Sequence, residues 1–302
     1  MTLAPTAALI SEAVARGGAV PSFNVISLEH AEAIVAGADL AGVGVLLQLS
    51  ENAVRYHGGL RPILAACREL AASARSPIGI HLDHVESAAL VDEAISLGPA
   101  FGAGLGSGPD SAVPTGSYAA WGLGSLMVDA STEPYERNVA LTASVVTRGR
   151  AAGLWIEAEL GEVGGKDGAH APGVRTDPLE ASRFVAATGV DGLAVAVGSS
   201  HAMTEQTASL DLDLIARLAE AVSVPLVLHG SSGVPDAVLR QAIAAGIRKV
   251  NVGTGLNVAF TAEVRAVLAA QPDLTDPRRY LAPARDRVSE LVAHLCEVIA
   301  GG

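Results

Sequence analysis

Short runs of Val, Ile and Leu alternate along the chain with longer stretches in which apolar residues recur every three or four positions. Continuous apolar runs are typical of parallel strands buried on both faces, and the longer spacing is typical of helices that cover them. The pattern predicts eight strands, each followed by a helix, at residues 19–24, 43–49, 78–83, 125–129, 154–159, 192–197, 224–228 and 248–252.

Eight consecutive strand–helix units predict an α/β fold of one domain, a TIM (β/α)8 barrel over residues 1–302. The repeat is interrupted at residues 99–121, where Gly, Pro, Ser and Ala replace the periodic apolar residues. We interpret this stretch as a flexible Gly/Pro-rich insertion between helix 3 and strand 4, because loops longer than about 12 residues are usually lids or disordered segments. Residues 161–175 are a second Gly-rich stretch, predicted to be a mobile active-site loop.

Composition and charge exclude several classes of protein. Half of the residues are hydrophobic (50%) and the mean hydropathy is +0.38, so a chain of 302 residues can bury a large core. The net charge of −12 should repel phosphate backbones and anionic headgroups, so we expect neither nucleic acid nor a membrane as a partner. Cys67 and Cys296 do not have the spacing of metal-binding cysteines and are predicted to be buried thiols. No basic residues precede the first apolar residues, as they would in a signal peptide, so we expect a cytoplasmic location.

Polar residues follow the predicted strands at their C-terminal ends, where TIM barrels carry their reactive groups. Histidines follow three of these strands, at His84, His201 and His229. Three neutral imidazoles that converge with one coordination position open are the ligand set of a catalytic Zn²⁺ ion. The sequence therefore predicts one catalytic zinc site. The other residues at strand ends include Asn24, Ser50, Asp83, Asp129, Glu159 and Asn251.

Asp83 directly precedes a predicted zinc ligand and is the candidate acid/base. A carboxylate beside a ligand is poorly placed to bind the same ion, but it can exchange a proton with a bound substrate. His81 shares a strand face with Asp83 and lies opposite His84, so we interpret it as a core or supporting residue. The remaining histidines have no matching partner and are interpreted as structural: His30, His57, His170 and His294.

Gly-rich turns follow the seventh and eighth strands, where helices are expected to begin. Exposed backbone N–H groups at helix starts bind anions, and TIM barrels often bind phosphate at these two turns. Each turn alone is explained equally well as a plain turn, but together, beside a metal, they favour a phosphorylated substrate. The residues are Gly230, Ser231, Ser232, Asn251, Val252, Gly253 and Thr254.

The ordered series of motifs resembles the class II, metal-dependent ketose-bisphosphate aldolases, a family that includes fructose- and tagatose-bisphosphate aldolases. The resemblance covers nearly the whole chain outside the insertion. The HLDH motif alone would not be specific for this family, whereas the ordered series of motifs is. It includes PSFNV, VLLQLSENA, HLDH, MVDAS, IEAELGEVGG, PLVLHGSSGVP and KVNVGT.

The resemblance implies an aldolase, a carbon–carbon lyase, that reversibly cleaves a ketose 1,6-bisphosphate to dihydroxyacetone phosphate and an aldehyde phosphate. Fructose 1,6-bisphosphate is the first expectation for the substrate, and family members are commonly homodimers or homotetramers. By resemblance, zinc is held by the three histidines, and Asp83 exchanges the proton of the aldol hydroxyl. Asp129 and Glu159 match a second, non-catalytic cation site, for a divalent or monovalent ion, and the substrate positions are Asn24, Ser50 and the residues of the two Gly-rich turns.

The chain departs from the family pattern at several positions. Val85 and Ala202 replace Gly after two of the histidines, Ser231 alters the usual HGGSG, and Gly253 stands where relatives carry Ala or Asp. An alanine at position 202 would be strained if the backbone has positive φ. The lid position where relatives carry a Glu base is Asp167, so either Asp167 or Glu162 is the predicted base.

Alternative functions remain open at this stage. They are a tagatose-bisphosphate aldolase, a 5-dehydro-2-deoxyphosphogluconate aldolase and a non-catalytic sugar-phosphate-binding barrel. A Schiff-base aldolase would need one of the two lysines, Lys166 or Lys249. We expect Lys249 at the start of strand 8, at the end opposite the reactive groups, and Lys166 on a loop, which favours the metal-dependent route.

Overall fold

The computed structural model describes residues 3–97, 121–160 and 175–301. The expected insertion at residues 99–121 therefore lies outside the described residues except for Trp121. The expected loop at 161–175 lies outside them except for Arg175.

Eight parallel strands close into a barrel, in which each strand pairs with its neighbours in sequence and the last pairs with the first. The predicted TIM barrel is confirmed, and each predicted strand overlaps an observed one to within about two residues at either end. The strands are β1 Val20–Asn24, β2 Val45–Ser50, β3 Ile78–Val85, β4 Ser125–Val128, β5 Trp155–Leu160, β6 Gly192–Val195, β7 Leu226–Leu228 and β8 Ile247–Val252.

Helices follow the strands and surround the barrel. Two separate helices follow β2, because Gly58 (φ +71°) and Gly59 (φ +155°) interrupt the helical backbone between them. Ser50, Ser87 and Asp211 accept hydrogen bonds from the first turns of the helices that they precede. The helices are α1 Thr6–Ala15, α2 Leu28–Ala41, α3 Glu51–Tyr56, α4 Leu60–Ser73, α5 Ala88–Ser96, α6 Tyr135–Ala151, α7 Pro178–Thr188, α8 Leu212–Ala221, α9 Asp236–Ala245, α10 Thr254–Ala270 and α11 Arg278–Ala300.

The inside of the barrel is apolar at one end and polar above it. Leu9 and Ile10 of α1 pack against Val20, Leu46 and Trp155, which closes the N-terminal end of the barrel. Further along the strands, the inward positions carry buried polar side chains instead of the branched apolar residues usual in such barrels. These buried polar residues are Ser22, Gln48, His81, Asp83, Ser125, Glu157, Glu159, Lys249 and Asn251.

Both cysteines are buried free thiols, as the sequence predicted. Burial raises the pKa of Cys67 to about 12, and burial together with the charge of Glu297 does the same for the pKa of Cys296. Within the described part of the chain, no helix has the length and apolar character needed to cross a membrane.

The α2 and α11 helices pack closely because Gly37 lies at their contact. A Cβ atom at Gly37 would lie 2.6 Å from the carbonyl oxygen of Ser289 and 2.7 Å from the side chain of Val292. These distances are too short for atoms that are not bonded, so α11 would have to move away.

We predict that Gly37→Ala lowers the free energy of unfolding by about 1–2 kcal/mol. Overpacking costs about 1–3 kcal/mol, and the better helix propensity of Ala returns up to about 1 kcal/mol. Urea denaturation measures the difference. The matched control is Gly255→Ala, where the nearest atom, Ser232 Oγ, is 3.6 Å away. That variant should be neutral or slightly more stable, and equal behaviour of the two variants would contradict the packing argument.

Candidate active site

Three histidines meet at the C-terminal mouth of the barrel. The ring of His84 lies 5.1 Å from that of His201 and 4.7 Å from that of His229, between centroids, and the other two rings are 5.9 Å apart. One nitrogen of each ring lies within 4.8 Å of the other two. A four-coordinate zinc ion with Zn–N bonds of about 2.0–2.1 Å sets its ligand nitrogens about 3.4 Å apart, so small side-chain shifts are sufficient. The structure thus brings together the three predicted ligands.

His229 shows which of its atoms faces a ligand. Its Nε2 atom lies 2.9 Å from Glu157 Oε1, whereas its buried Nδ1 atom makes no well-formed hydrogen bond with the described residues and lies 3.3 Å from Glu159 Oε2. Burial alone would lower the pKa of His229, but the carboxylates of Glu157 and Glu159 raise it to about 9. A buried ring nitrogen without a hydrogen-bond partner, beside two more imidazoles, fits a metal ligand.

An irregularity at the end of β3 directs the side chain of His84 towards the site. Regular alternation would place Asp83 and His84 on opposite faces of the strand. The register of β3 against β4 shifts between Leu82 and Val85, and His84 has φ +49°. This left-handed backbone, which costs about 1–3 kcal/mol for a residue other than Gly, lets both side chains line the same cavity.

The backbone beside the other two histidines is also left-handed. Ala202 has φ +58°, so the strain expected of an alanine at this position is present. Gly230 has φ +63°, and a Cβ atom there would lie 2.5 Å from the carbonyl carbon of Ser200. Position 230 therefore needs glycine.

Asp129 and Glu159, predicted to bind a second cation, lie beside His84. Asp129 Oδ2 is 2.8 Å from His84 Nδ1, and one atom of each of the three residues lies within 4.8 Å of the others. The hydroxyl and backbone N–H of Ser131 donate to the other oxygen of Asp129. Because His84 belongs to both groups, the two predicted sites form one continuous cluster.

A third group of potential ligands, comprising His81, Asp83 and Glu157, is already neutralised by a lysine. Lys249 Nζ lies 2.8 Å from Glu157 Oε2 and 3.4 Å from His81 Nε2. Burial alone would raise the pKa of Glu157, but the charge of Lys249 and the hydrogen bond from His229 lower it to about 2. Since an ammonium group lies here, we do not assign a metal to this group.

The backbone of Lys249 lies near the start of β8, as expected, in register with Val20 of β1, but its side chain does not stay at that end of the barrel. Lys249 is the third residue of β8, and its fully buried side chain lies inside the barrel, where Glu157 connects it to His229, a predicted zinc ligand. The position of the Lys249 backbone along its strand did not indicate this placement of the side chain. The reach of its four-carbon side chain brings the ammonium group into the polar interior.

Asp83 is held by Gln48, a residue that the sequence analysis did not select. The Nε2 atom of Gln48 donates to Asp83 Oδ2 (2.9 Å) and to Asn24 Oδ1 (2.6 Å), and its Oε1 accepts from Ser22. Burial alone would raise the pKa of Asp83, but the charge of His84 and contact with His81 hold it well below its usual range. Its other oxygen, Oδ1, is buried without a hydrogen bond. Asp83 is therefore a carboxylate whose Oδ1 faces His81 Nε2 at 3.6 Å and whose Oδ2, held by Gln48, lies 3.7 Å from His84 Nε2.

Gln48, Asp83, His84 and His201 line a cavity of about 640 Å³, whereas His229 is fully buried and does not line it. The buried side-chain amide of Asn251 has no hydrogen-bond partner at either of its polar atoms among the described residues, which indicates a polar ligand. Of the predicted substrate residues, Ser231 and Val252 do not line the cavity, and the hydroxyl of Ser231 donates to the carbonyl of Asn251. Those that do are Asn24, Ser50, Gly230, Ser232, Asn251, Gly253 and Thr254.

The candidate lid bases, Asp167 and Glu162, lie outside the described residues, as does His170. The other histidines interpreted as structural have local partners. His57 Nε2 lies 2.7 Å from the carbonyl oxygen of Ile26, His294 Nε2 lies 2.7 Å from Asp236, and His30 stacks on Phe260.

The comparisons with known proteins agree on one family. The family model described as "Fructose-bisphosphate aldolase class-II" matches residues 4–301. A Bacillus subtilis protein named "Probable fructose-bisphosphate aldolase" is 36% identical over 296 residues, which cover 97% of this chain and 95% of the relative. The solved structure of the YdjI aldolase from Escherichia coli K12 is 28% identical, covers 97% of this chain and 95% of its own, and superposes with a TM-score of 0.77. A further solved structure, from Coccidioides immitis, is 27% identical with the same coverage and a TM-score of 0.80.

We predict that Gln48→Met lowers the free energy of unfolding of the metal-free protein by about 1.5–3 kcal/mol. The change removes the donor to the buried carboxylate of Asp83, and hydrogen bonds to charged groups have about this strength. Chemical denaturation measures the loss. Gln241→Met, at an exposed position of α9, is the control and should change stability by less than about 0.5 kcal/mol. If Gln48→Met were equally harmless, Gln48 would not support Asp83.

Proposed function

This chain belongs to the class II fructose-bisphosphate aldolase family, and we propose that it cleaves fructose 1,6-bisphosphate reversibly to dihydroxyacetone phosphate and an aldehyde phosphate. Membership in the family makes it an aldolase, a carbon–carbon lyase. The observation that best supports the specific reaction is the grouping of three imidazoles beside a low-pKa carboxylate at the cavity that Asp83, His84 and His201 line.

Zinc is the proposed cofactor, held by His84, His201 and His229. The buried Nδ1 atom of His229, which makes no well-formed hydrogen bond among the described residues, and the all-nitrogen ligand set fit zinc. When bound, zinc would polarise the ketone oxygen of the substrate and stabilise the negative charge that develops as the carbon–carbon bond breaks. Asp129 and Glu159 are the proposed ligands of a second cation, divalent or monovalent, beside the first.

Asp83 is the proposed acid/base at the aldol hydroxyl. In the cleavage direction its carboxylate accepts the proton of the C4 hydroxyl while the C3–C4 bond breaks and the new aldehyde forms. In the condensation direction it returns that proton to the alkoxide. Gln48 holds Oδ2, the carboxylate oxygen that lies 3.7 Å from His84 Nε2, so Oδ2 is the proposed atom that exchanges the proton, whereas Oδ1 faces His81. A second base, Asp167 or Glu162, is proposed to exchange the proton at C3.

The substrate phosphate is proposed to bind between the turns that follow β7 and β8. Gly230, Ser232, Gly253 and Thr254 line the cavity there, and the 17-residue helix α10 begins at Thr254. Free N–H groups at such a helix start attract anions. The net charge of −12 does not oppose binding, because salt screens distant surface charges over about 8–10 Å.

A Schiff-base mechanism is not supported by Lys249. Its ammonium group is fully buried, lies 2.8 Å from a carboxylate and does not line the cavity. The other lysine, Lys166, lies outside the described residues. The assembly is proposed to be a homodimer or homotetramer, as is common for this family.

We expect a coupled assay on a panel of sugar phosphates to show zinc-dependent cleavage, fastest with fructose 1,6-bisphosphate. The panel includes tagatose 1,6-bisphosphate and 5-dehydro-2-deoxygluconate 6-phosphate, because epimeric hydroxyls differ by only a contact or two in the cavity. Removing metal with a chelator should abolish turnover, added Zn²⁺ should restore it, and borohydride should trap no covalent adduct.

Each other outcome of this assay would correct a specific part of the proposal. Faster cleavage of another ketose would reassign the substrate within the family. Activity that survives the chelator and is lost with borohydride would replace the zinc mechanism with a Schiff base. Binding of sugar phosphates without cleavage would make the chain a non-catalytic relative.

We predict that Asp83→Ala reduces kcat by about 10²–10⁴-fold while the zinc content is unchanged, because general acid/base groups contribute about this factor and Asp83 is not a proposed ligand. Turnover is measured on zinc-loaded protein, and zinc content by elemental analysis. Asp92→Ala, at an exposed salt bridge with Arg148, is the control and should leave kcat unchanged. Unimpaired turnover of Asp83→Ala would remove Asp83 from the mechanism, and loss of zinc would make it a ligand.

A further inference from the structure

Lys249 is a buried charged group that the proposed reaction does not use. It lies at the centre of a continuous series of polar contacts inside the barrel. On one side, its ammonium group contacts His81, whose Nδ1 atom lies 2.8 Å from Ser125 Oγ. On the other side, it donates to Glu157 Oε2 at 2.8 Å. Glu157 and Lys249 are both fully buried, so neither charge is compensated by water.

The contact with Lys249 determines how Glu157 meets the metal-binding cluster. An ammonium group can only donate hydrogen bonds, so it holds Oε2 and leaves Oε1 directed at His229 Nε2, 2.9 Å away. Glu157 is a carboxylate and can only accept, so the proton of this hydrogen bond must lie on His229 Nε2. A neutral His229 then has its lone pair on Nδ1, the nitrogen left for the metal, which lies 3.3 Å from Oε2 of Glu159, a proposed ligand of the second cation.

We propose that Lys249 is a positioning residue for the zinc ligand His229: by fixing Glu157, it selects the ring form that presents Nδ1 to the metal. This inference rests on the zinc site proposed above. Partners of metal ligands hold the ring form and the orientation of those ligands, and their loss typically weakens metal binding about 10–100-fold. The alternative is that Lys249 only fills and neutralises the barrel interior.

A double-mutant cycle of Lys249→Met and Glu157→Gln separates the two roles. The quantity measured is the dissociation constant for Zn²⁺ of the purified full-length protein, from competition with a chromophoric chelator at fixed pH. With Glu157 in place, Lys249→Met should weaken zinc binding about 10–100-fold. A pure charge effect has the opposite sign, because removing a nearby cation should strengthen the binding of another.

In the Glu157→Gln background, the effect of Lys249→Met should reverse. Beside the ammonium group, the introduced amide must direct its oxygen at Lys249 and its NH2 at His229 Nε2. That nitrogen then accepts, the ring proton moves to Nδ1, and zinc binding is blocked by the wrong ring form. Removing Lys249 frees the amide to turn round, so the double variant should bind zinc at least about threefold more tightly than Glu157→Gln alone.

The sign change decides between the roles. A filling role predicts that Lys249→Met acts in the same direction whether Glu157 is present or replaced. The proposal is overturned if Lys249→Met fails to weaken binding with Glu157 in place, or fails to strengthen it in the Glu157→Gln background. If Lys249→Met alone does not fold, the comparison of the double variant with Glu157→Gln still distinguishes the two roles. The double variant lacks the Glu157 carboxylate, so it leaves no unpaired carboxylate in the barrel.

The matched control is Arg248→Met, which removes a cation from the neighbouring position of β8. The guanidinium of Arg248 binds the carbonyl oxygens of Ile243 and Ile247, outside the polar interior, so its loss should change zinc affinity by less than about twofold. Wild-type protein that binds no zinc would overturn both the proposed function and this inference. Wild-type protein that binds zinc, with no sign change in the cycle, would overturn the inference alone.

Discussion

The polar interior of this barrel depends on the two hydrogen bonds that the buried carboxylate of Glu157 accepts. This carboxylate lies between an ammonium group and an imidazole, with no exposure to water, and it is acceptable there only because both neighbours donate to it. The same arrangement recurs around Gln48, which joins Ser22, Asn24 and Asp83. His229 and Asp83 are therefore each oriented by a polar side chain inside the barrel, Glu157 for His229 and Gln48 for Asp83.

Backbone strain is confined to the residues that complete this arrangement. Among the described residues other than Gly, only His84 and Ala202 have positive φ, and both lie at the mouth of the barrel. The irregular end of β3 allows two consecutive residues to serve one site. The helices and the apolar end of the barrel, closed by α1, supply the stability that holds these strained positions in place.

Much of the fold was predictable because buried parallel strands leave continuous apolar runs, and all eight strands were found at nearly the right residues. The three histidines were predictable because strand ends meet at one edge. Gln48 and Glu157 were missed, and Lys249 was considered only as a Schiff-base residue, although each lies two residues before a selected strand-end residue and shares its face. The split helix after β2 and the left-handed backbone at His84 depend on tertiary packing, which periodicity does not report.

Gly253 lies against Asn24, a side chain that is hydrogen-bonded to Gln48. A Cβ atom at this position would lie 2.9 Å from the side-chain nitrogen of Asn24, which in turn binds Gln48 and, through it, Asp83. Adding a single methyl group there would thus require the Asn24 side chain to move. A larger residue at position 253 can be accommodated here only with a shifted Asn24, so an exchange that a homologue tolerates would disturb the hydrogen bond to Gln48 in this chain.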